Sequence, residues 1–379
     1  MKPVRFAMVG GGEGAFIGAV HRLAARLDGR FELVAGALSA DPDRARRSGE
    51  ALGLPPERSY ASFEAMAERE AARADGVEAV AIVTPNHLHA APAEAFLAKG
   101  VHVICDKPLT ATLDEARRLA AAAHAADALF VLTHTYTGYP MAREARALVA
   151  DGALGTIRVV QVEYAQGWLA AAVESTGSKQ ASWRTDPAKS GAGGCVGDIG
   201  THAIHLARFV SGLKPEALAC ELSTFVAGRR LDDDARVLLR FEGGARGMLW
   251  ASQVAIGCEN GLRLRVFGDA GALDWQQERP ERLRVTRLAE PPRELVRGGP
   301  GTGAEAARLS RVPAGHPEGY LEAFANLYRD AADAIHAHAE GRGGATAAHL
   351  PGIADGLDGM VFIDACVRSA AQDAAWVRL

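Results

Sequence analysis

The sequence predicts an α/β protein: an N-terminal doubly wound parallel sheet, then a second α/β domain with a large, mainly antiparallel, open sheet. Three observations carry this reading. Short apolar runs alternate with helical stretches over the first 132 residues, the order that builds a parallel sheet covered on both faces. A glycine cluster, Gly10-Gly11-Gly12-Glu13-Gly14, stands where the first run gives way to the first helix. Beyond residue 133 strands follow one another with few helices between them, as in antiparallel sheets with one buried face.

Taken in order, residues 4–9 are an apolar run that breaks into glycines, as a buried strand does. A helix is predicted at 16–27, a strand at 31–38, and helices at 43–52 and from 63, where Ser62 precedes Glu64 and Ala65 as a cap. Residues 77–83 read as a strand stopped at Thr84-Pro85, and 90–99 as a helix ended by Gly100. A strand at 101–105 is halted by Pro108, a helix at 113–126 follows Thr112, and 129–132 is one more strand. After a helix at 140–149, residues 157–164 alternate as a half-solvated strand should. Residues 165–197 read as one long Gly/Ser/Ala-rich loop, a length usually tied to function or mobility. A helix at 201–210 leads to strands near 217–226, 235–242, 246–255, 262–268 and 283–288. A surface excursion at 290–315 and helices at 317–340 and 357–374 complete the reading, and two domains are expected, 1–132 and 133–379.

Composition excludes several classes of function. Lys plus Arg number 42 against 46 Asp plus Glu, a formal charge of −4, so no basic stripe for nucleic-acid phosphates is expected. No apolar run approaches the ~18 residues of a membrane helix, and the opening residues lack the length and cleavage site of a secretory leader. Five scattered cysteines (Cys105, Cys195, Cys220, Cys258 and Cys366) give neither a disulfide framework nor a zinc site. His87 and His89 have no acid or cysteine cluster beside them to complete a metal-ligand set. A cytoplasmic protein is expected, with no nucleic-acid, membrane or metal partner.

The glycine loop points to a nucleotide. Glycines let the backbone approach a pyrophosphate, and a helix N-terminus attracts its charge. Gly10 and Gly12 fit the first two positions of G-x-G-x-x-G, Ala15 stands at the third, and Gly18 comes only later. Gly10, Gly12, Gly14, Ala15, Phe16 and Ile17 are the candidate contacts. At the end of the second strand, where an acid reads the ribose of NAD, stands Ser39. A small hydroxyl there has room for a 2′-phosphate, but Ala40 supplies no arginine to grip it. Arg44 either reaches across or is an exposed helix residue, so NAD and NADP both stay open.

Three further segments belong together: Thr84-Pro85-Asn86-His87-Leu88-His89, Cys105-Asp106-Lys107-Pro108, and Gly193-Gly194 through Asp198-Ile199-Gly200-Thr201-His202. The first two lie at the C-terminal ends of predicted parallel strands, where open α/β sheets bind ligands. With the glycine loop and Trp183-Arg184-Thr185-Asp186-Pro187, in this order along nearly the whole chain, the set resembles the Gfo/Idh/MocA family of NAD(P)-dependent oxidoreductases. The resemblance implies a Rossmann domain, a small polyol or sugar as substrate, and a homodimer or homotetramer formed through the second domain's sheet.

It also implies that Lys107, Asp198 and His202 form the catalytic group and touch substrate. Thr84, Pro85, Asn86, His89, Asp106 and Lys107 are then expected beside the cofactor, with Trp183 and Arg184 near it. Asp106 stands where the family usually has Glu, and His205 where it often has Asp. The chemistry has its own logic. A hydride leaves a carbinol carbon only as the hydroxyl proton is withdrawn, which needs a base within about 3 Å. Histidine ordinarily titrates at about pH 6.5 and suits the task, so His202 is the candidate. Asp198, one helical turn earlier, would share its face, and Lys107 would offset charge developing on the oxygen.

Trp183 fits a core stack nearly as well as a cofactor contact, and Tyr136 and His316 are either substrate contacts or packing residues. The same fold would also serve a dihydrodiol- or biliverdin-type reductase. Family members lacking the lysine act as silent nucleotide sensors, a role that the presence of Lys107, Asp198 and His202 argues against. Exchanging Ser39→Asp is expected to shift preference towards NAD. The ratio of kcat/KM with the two cofactors checks this, and an unchanged ratio would remove position 39 from ribose recognition.

Overall fold

The computed structural model describes residues 2–342 and 349–379. It divides into two compact units, one of residues up to Thr135 with Phe324–Leu357, the other of Tyr136–Ala323 with Asp358–Leu379.

In the first unit, β1 (Val4–Gly10), β2 (Phe31–Ala37), β3 (Ala79–Val83), β4 (His102–Cys105) and β5 (Phe130–Leu132) form a wholly parallel sheet in the order β2-β1-β3-β4-β5. Every residue of β3 and β4 is buried, the signature of strands covered on both faces. Helices α1 (Phe16–Leu27), α2 (Pro42–Ala51), α3 (Phe63–Ala71), α4 (Ala90–Leu97) and α5 (Leu113–Ala125) alternate with the strands. Short side chains fix where several of them begin. Asp41 accepts from Arg44 N, Ser62 from Ala65 N, and Thr112 with Glu115 closes a reciprocal capping box. The order reverses between β1 and β3, and ligands bind beyond the strand ends at such a point.

The second unit contains α6 (Pro140–Ala150), β6 (Ile157–Ala165), α7 (Lys179–Arg184), α8 (Pro187–Ser190), α9 (Thr201–Ser211), β7 (Pro215–Ser223), β8 (Asp234–Phe241) and β9 (Arg246–Ser252). It continues through β10 (Gly261–Gly268), β11 (Gly271–Gln276), β12 (Arg282–Arg287), β13 (Arg293–Val296) and α10 (Ala304–Arg308). Two long helices, α11 (Tyr320–Ala339) and α12 (Ile353–Ala370), each contribute to both units, and β14 (Val377–Arg378) closes the chain. Nine strands pair in the order β13-β12-β11-β10-β6-β9-β8-β7-β14, antiparallel except for β6 beside β9. Alternation sorts the two faces. Val237, Leu239 and Phe241 of β8 join a core with α6 and α9, while Leu238, Met248, Val159 and Phe267 lie exposed on the other face. Among the described residues no helix is long and apolar enough to cross a membrane.

Three expectations need correction. The 165–197 stretch is not one loop but carries α7, α8 and a π-helical turn at Val196–Gly200. The 290–315 excursion contains β13 and α10, with Ala306 and Leu309 fully buried. A buried Arg297 organises it, donating to Val312 O (2.7 Å) and His316 O (2.5 Å) and pairing with Glu281 and Glu318. Hydropathy patterns do not reveal such an anchor. The last helix spans Ile353–Ala370 and ends before Asp373 and Ala374, whose positive φ values of 56° and 57° cannot continue it.

One buried group makes the first unit sensitive to acid. His102 Nδ1 accepts from Leu129 N at 2.9 Å, and burial, reinforced by nearby His338, pushes its pKa down to about 4. The folded state therefore holds this ring neutral, so its contribution is complete above pH 6.5 and is lost as pH falls towards 4. The loss amounts to about 3 kcal/mol at full extent. His102→Asn keeps an acceptor without a titrating ring, and its unfolding free energy is expected to fall less steeply than the parent's over that window. Denaturant titrations across pH check this, and equal slopes would assign the acid sensitivity to other groups.

Candidate active site

The glycine loop joins β1 to α1, and its geometry follows from missing Cβ atoms. Gly10, Gly11 and Gly14 adopt φ of 78°, 73° and 75°, a region only glycine occupies without strain. A Cβ on Gly18 would lie 2.3 Å from Gly11 Cα, and one on Gly12 would lie 2.6 Å from Leu38 O. Gly18 therefore performs the close helix-to-loop packing of the third fingerprint glycine, with an insertion before it. Gly10 closes against Thr84, whose Cγ2 would be 2.9 Å from an added Cβ. The loop is braced by Arg22 donating to Gly11 O (2.6 Å) and by Glu13 N donating to Ser48 Oγ (3.0 Å).

Ala15 caps α1 without a side-chain hydrogen bond, and the first turn holds no acid. The exposed Gly14 has open space where a side chain would be, and Phe16 is 66% exposed. Uncapped N–H groups at a helix start, without a competing carboxylate, fit a dinucleotide pyrophosphate. Gly12, Gly14, Ala15, Phe16 and Ser48 line one groove there. At the end of β2, Ser39 Oγ accepts from Asp41 N, while the Asp41 carboxylate is spent as the cap of α2.

Two loops follow β3 and β4. Asn86 is buried and His89 wholly so. The His89 ring nitrogens lie 2.8 Å from Thr84 O and 3.0 Å from Pro108 O, and burial pushes its pKa down. His89 thus ties one loop to the other from below the surface. Between them, Asp106 N donates to Ile82 O (3.0 Å) and Thr133 N to Cys105 O (2.9 Å), so the backbone entering Lys107 is pinned. The Asp106 side chain turns inward to His21 and Thr133. Lys107 is half-buried and belongs to this first unit.

Asp198 and His202 belong to the second unit. Asp198 sits in the π-helical turn that feeds α9, a local winding often found at functional sites. The turn is anchored by Asp232, whose buried carboxylate accepts from Gly194 N (2.6 Å), Val196 N (2.8 Å) and Cys195 Sγ (3.1 Å). Burial pushes the Cys195 thiol well up, which removes it as a nucleophile. Asp198 Oδ2 accepts from both Arg184 Nε (3.2 Å) and Gln253 Nε2 (2.9 Å). The Arg184 guanidinium lies 4.3 Å from the centre of the half-buried Trp183 ring, so this pair backs Asp198.

His202 is 9% exposed, its ring 4.8 Å from that of Tyr136 and 6.2 Å from that of Tyr164. The Tyr136 hydroxyl donates to that of Tyr164, which donates to Asn260 Oδ1 at 2.7 Å. Gln166 Nε2 donates to the same oxygen (2.8 Å), and Trp168 Nε1 donates to Gln166 Oε1 (3.0 Å). Burial pushes both phenols up, so neither suits the part of a base near neutral pH. Sequence reasoning missed Tyr164, Gln166, Gln253, Asn260 and Asp232. For three of them a signal existed. The inward rows Val160-Val162-Tyr164, Leu249-Ala251 and Leu262-Leu264 are buried, and each continues by a step of two into Gln166, Gln253 and Asn260. On the neighbouring strands β6, β9 and β10 these three ends lie side by side.

His316 is exposed in the segment before α11, which begins at Tyr320, with its carbonyl held by Arg297. His205 is buried and stacks on Phe209.

Two family descriptions match the chain: "Oxidoreductase family, NAD-binding Rossmann fold" over residues 4–134 and "GFO/IDH/MocA C-terminal domain" over residues 142–274. An oxidoreductase from Sinorhizobium meliloti is 52% identical, with a TM-score of 0.90 over 100% of both chains. An inositol dehydrogenase homolog from Azotobacter vinelandii is 40% identical over 100% of this chain and 98% of that one. Its complexes with NAD+ and with NADH and myo-inositol give TM-scores of 0.96 and 0.93. Levoglucosan dehydrogenase from Pseudarthrobacter phenanthrenivorans is 28% identical over 100% of this chain and 98% of its own length. The chain belongs to the Gfo/Idh/MocA family of NAD(P)-dependent oxidoreductases acting on hydroxyl groups.

Proposed function

We propose that this protein interconverts a secondary hydroxyl and a ketone on a cyclic polyol or sugar, with residues 1–132 binding the dinucleotide and 133–379 the substrate. The observation that carries the reading is the polar row Gln166, Gln253 and Asn260 beside Tyr136, Asp198 and His202. Amide and hydroxyl groups of this kind match a ring bearing several hydroxyls, since each can donate or accept. An aromatic dihydrodiol brings only two hydroxyls to such a row, which disfavours that second reading. The likeness to proteins solved with myo-inositol or named for levoglucosan supports the same class.

The glycine loop and the uncapped start of α1 would hold the pyrophosphate, and Thr84, Pro85 and Asn86 the nicotinamide end. When bound, the cofactor supplies the hydride acceptor or donor. His202 accepts the proton from the substrate hydroxyl oxygen on an imidazole nitrogen as the carbon loses hydride, and returns it in the reverse direction. Lys107 donates to that oxygen and offsets its growing negative charge. Asp198, held by Arg184 and Gln253, orients the imidazole and balances its charge once protonated. Exposed Val159, Leu238, Met248 and Phe267 on the outer sheet face support a homodimer or homotetramer formed there. The five cysteines, all as thiols, fit a reducing compartment such as the cytoplasm.

Assays with NAD+ and NADP+ against inositols, hexoses, pentoses and their phosphates, read by absorbance of the reduced nicotinamide, test the reading. Turnover with at least one unphosphorylated polyol or sugar is expected, and none with any would overturn it. Lys107→Ala and His202→Ala are each expected to lower kcat about 100-fold or more, and an unchanged kcat would remove that residue from the chemistry. Gly18→Ala forces α1 away from Gly11 and should weaken NADH binding about 10-fold or more, by the lost approach of backbone to phosphate. Fluorescence titration with NADH checks this, and unchanged affinity would separate the loop from cofactor binding.

A further inference from the structure

Behind the loop that carries Lys107 lies a chain of buried polar groups with no part in the mechanism above. Tyr328, on α11 and 2% exposed, places its hydroxyl 2.7 Å from His21 Nδ1. His21, on α1 and 0% exposed, places Nε2 3.1 Å from Asp106 Oδ1, and Thr133 Oγ1 donates to the same oxygen at 2.6 Å. The order of atoms sets the proton positions. A phenol donating to Nδ1 leaves the imidazole hydrogen on Nε2, where it faces the carboxylate. Phe324 packs edge-on against the imidazole at 4.6 Å and Phe31 against Tyr328 at 5.0 Å, so water has little access to the chain.

We propose that His21 and Tyr328 are positioning residues: Tyr328, His21 and Asp106 form a hydrogen-bonded relay that holds the Asp106 carboxylate fixed and ionised one residue before Lys107. This rests on the reading of Lys107 as a catalytic residue. The groups facing Asp106 are His21 from α1, Thr133 after β5, His89 ahead of α4, Cys105 at the end of β4 and Tyr328 from α11. Burial alone would lift the Asp106 carboxyl, but His21 and Thr133 more than offset it and hold it below the usual carboxylate range. Without the relay the burial remains and the largest part of its compensation is lost, with only Thr133 and His89 left, so Asp106 takes up a proton at higher pH. Its side chain then lets go of His21, and the backbone leading to Lys107 loses an anchor. The carboxylate's shorter arm, compared with the family's usual Glu, makes it dependent on a partner that comes to meet it.

The test uses Tyr328→Phe, which removes one oxygen and keeps the ring packing, together with His21→Leu and His21→Gln. Tyr328→Phe and His21→Leu should lower kcat by about 10- to 100-fold, as for a displaced catalytic group. The KM for the polyol should stay within about twofold, and the acid limb of kcat/KM should move to higher pH. His21→Gln, whose amide can donate to Asp106, should recover part of the loss. In cofactor-free protein with isotope-labelled histidine, NMR should place the His21 hydrogen on Nε2 in the parent and on both nitrogens in exchange in Tyr328→Phe. A parent-like kcat and acid limb in Tyr328→Phe would overturn the relay even where His21→Leu fails to fold. So would an Nδ1-protonated His21 in the parent. If Lys107→Ala is as active as the parent, the reading of Lys107 falls instead. An inactive Lys107→Ala beside a fully active Tyr328→Phe removes the relay alone.

Discussion

A strand covered by protein must satisfy its backbone through its neighbours, so it can present chemistry only where the pairing stops. That constraint arranges both units. In the first, β3 and β4 are buried at every residue, and the side chains proposed to act appear one to three residues past their ends, at Thr84–Asn86 and Asp106–Lys107. In the second, the period of two carries each inward row of β6, β9 and β10 out of the apolar core and into an amide. Because β10 runs antiparallel to β6 while β9 runs parallel to it, the three amides meet at one end of the sheet. A one-residue slip in any of these strands would turn its amide to the opposite face.

Buried carboxylates then fix what the strand ends leave loose. Asp232 accepts two backbone N–H groups and a thiol at the start of the turn holding Asp198, bonds that offset part of the burial that pushes its carboxyl up. Asp198 divides one oxygen between Arg184 and Gln253, and Asp106 divides one between His21 and Thr133. Asp232 is held mainly by backbone, whereas Asp198 and Asp106 are held by side chains from other parts of the sequence. Rigid support of this kind is what a proton transfer demands, since small displacements of the acid or base are costly to rate.

Much of this was legible in the sequence. Apolar runs closed by Gly or Pro located β1, β3 and β4, and Ser62 and Thr112 announced two helix starts through local chemistry alone. The glycine loop was recognisable although Ala15 broke its spacing, but that Gly18 does the third glycine's work depends on a contact with Gly11 that spacing does not encode. The site was half legible. Lys107, Asp198 and His202 stood out through their motifs, whereas Tyr164, Gln166, Gln253 and Asn260 lie scattered over 97 positions and become neighbours only through sheet register. Asp232 was hidden differently, in a run of three acids that reads as a solvated turn. His89 adds a part that its motif does not announce, a buried tie between two loops. Arg297 explains why 290–315 looked like surface: a charged residue supplies the cohesion that apolar residues usually supply.

The account stands or falls on hydride moving from a ring carbon of a polyol to the cofactor. The direct measurement incubates the enzyme with a ring-deuterated inositol and oxidised cofactor and follows deuterium by mass spectrometry. The account predicts one deuterium in each reduced nicotinamide formed, together with a ketone on the ring. Reduced cofactor without deuterium, or no transfer from any polyol or sugar so labelled, would contradict it.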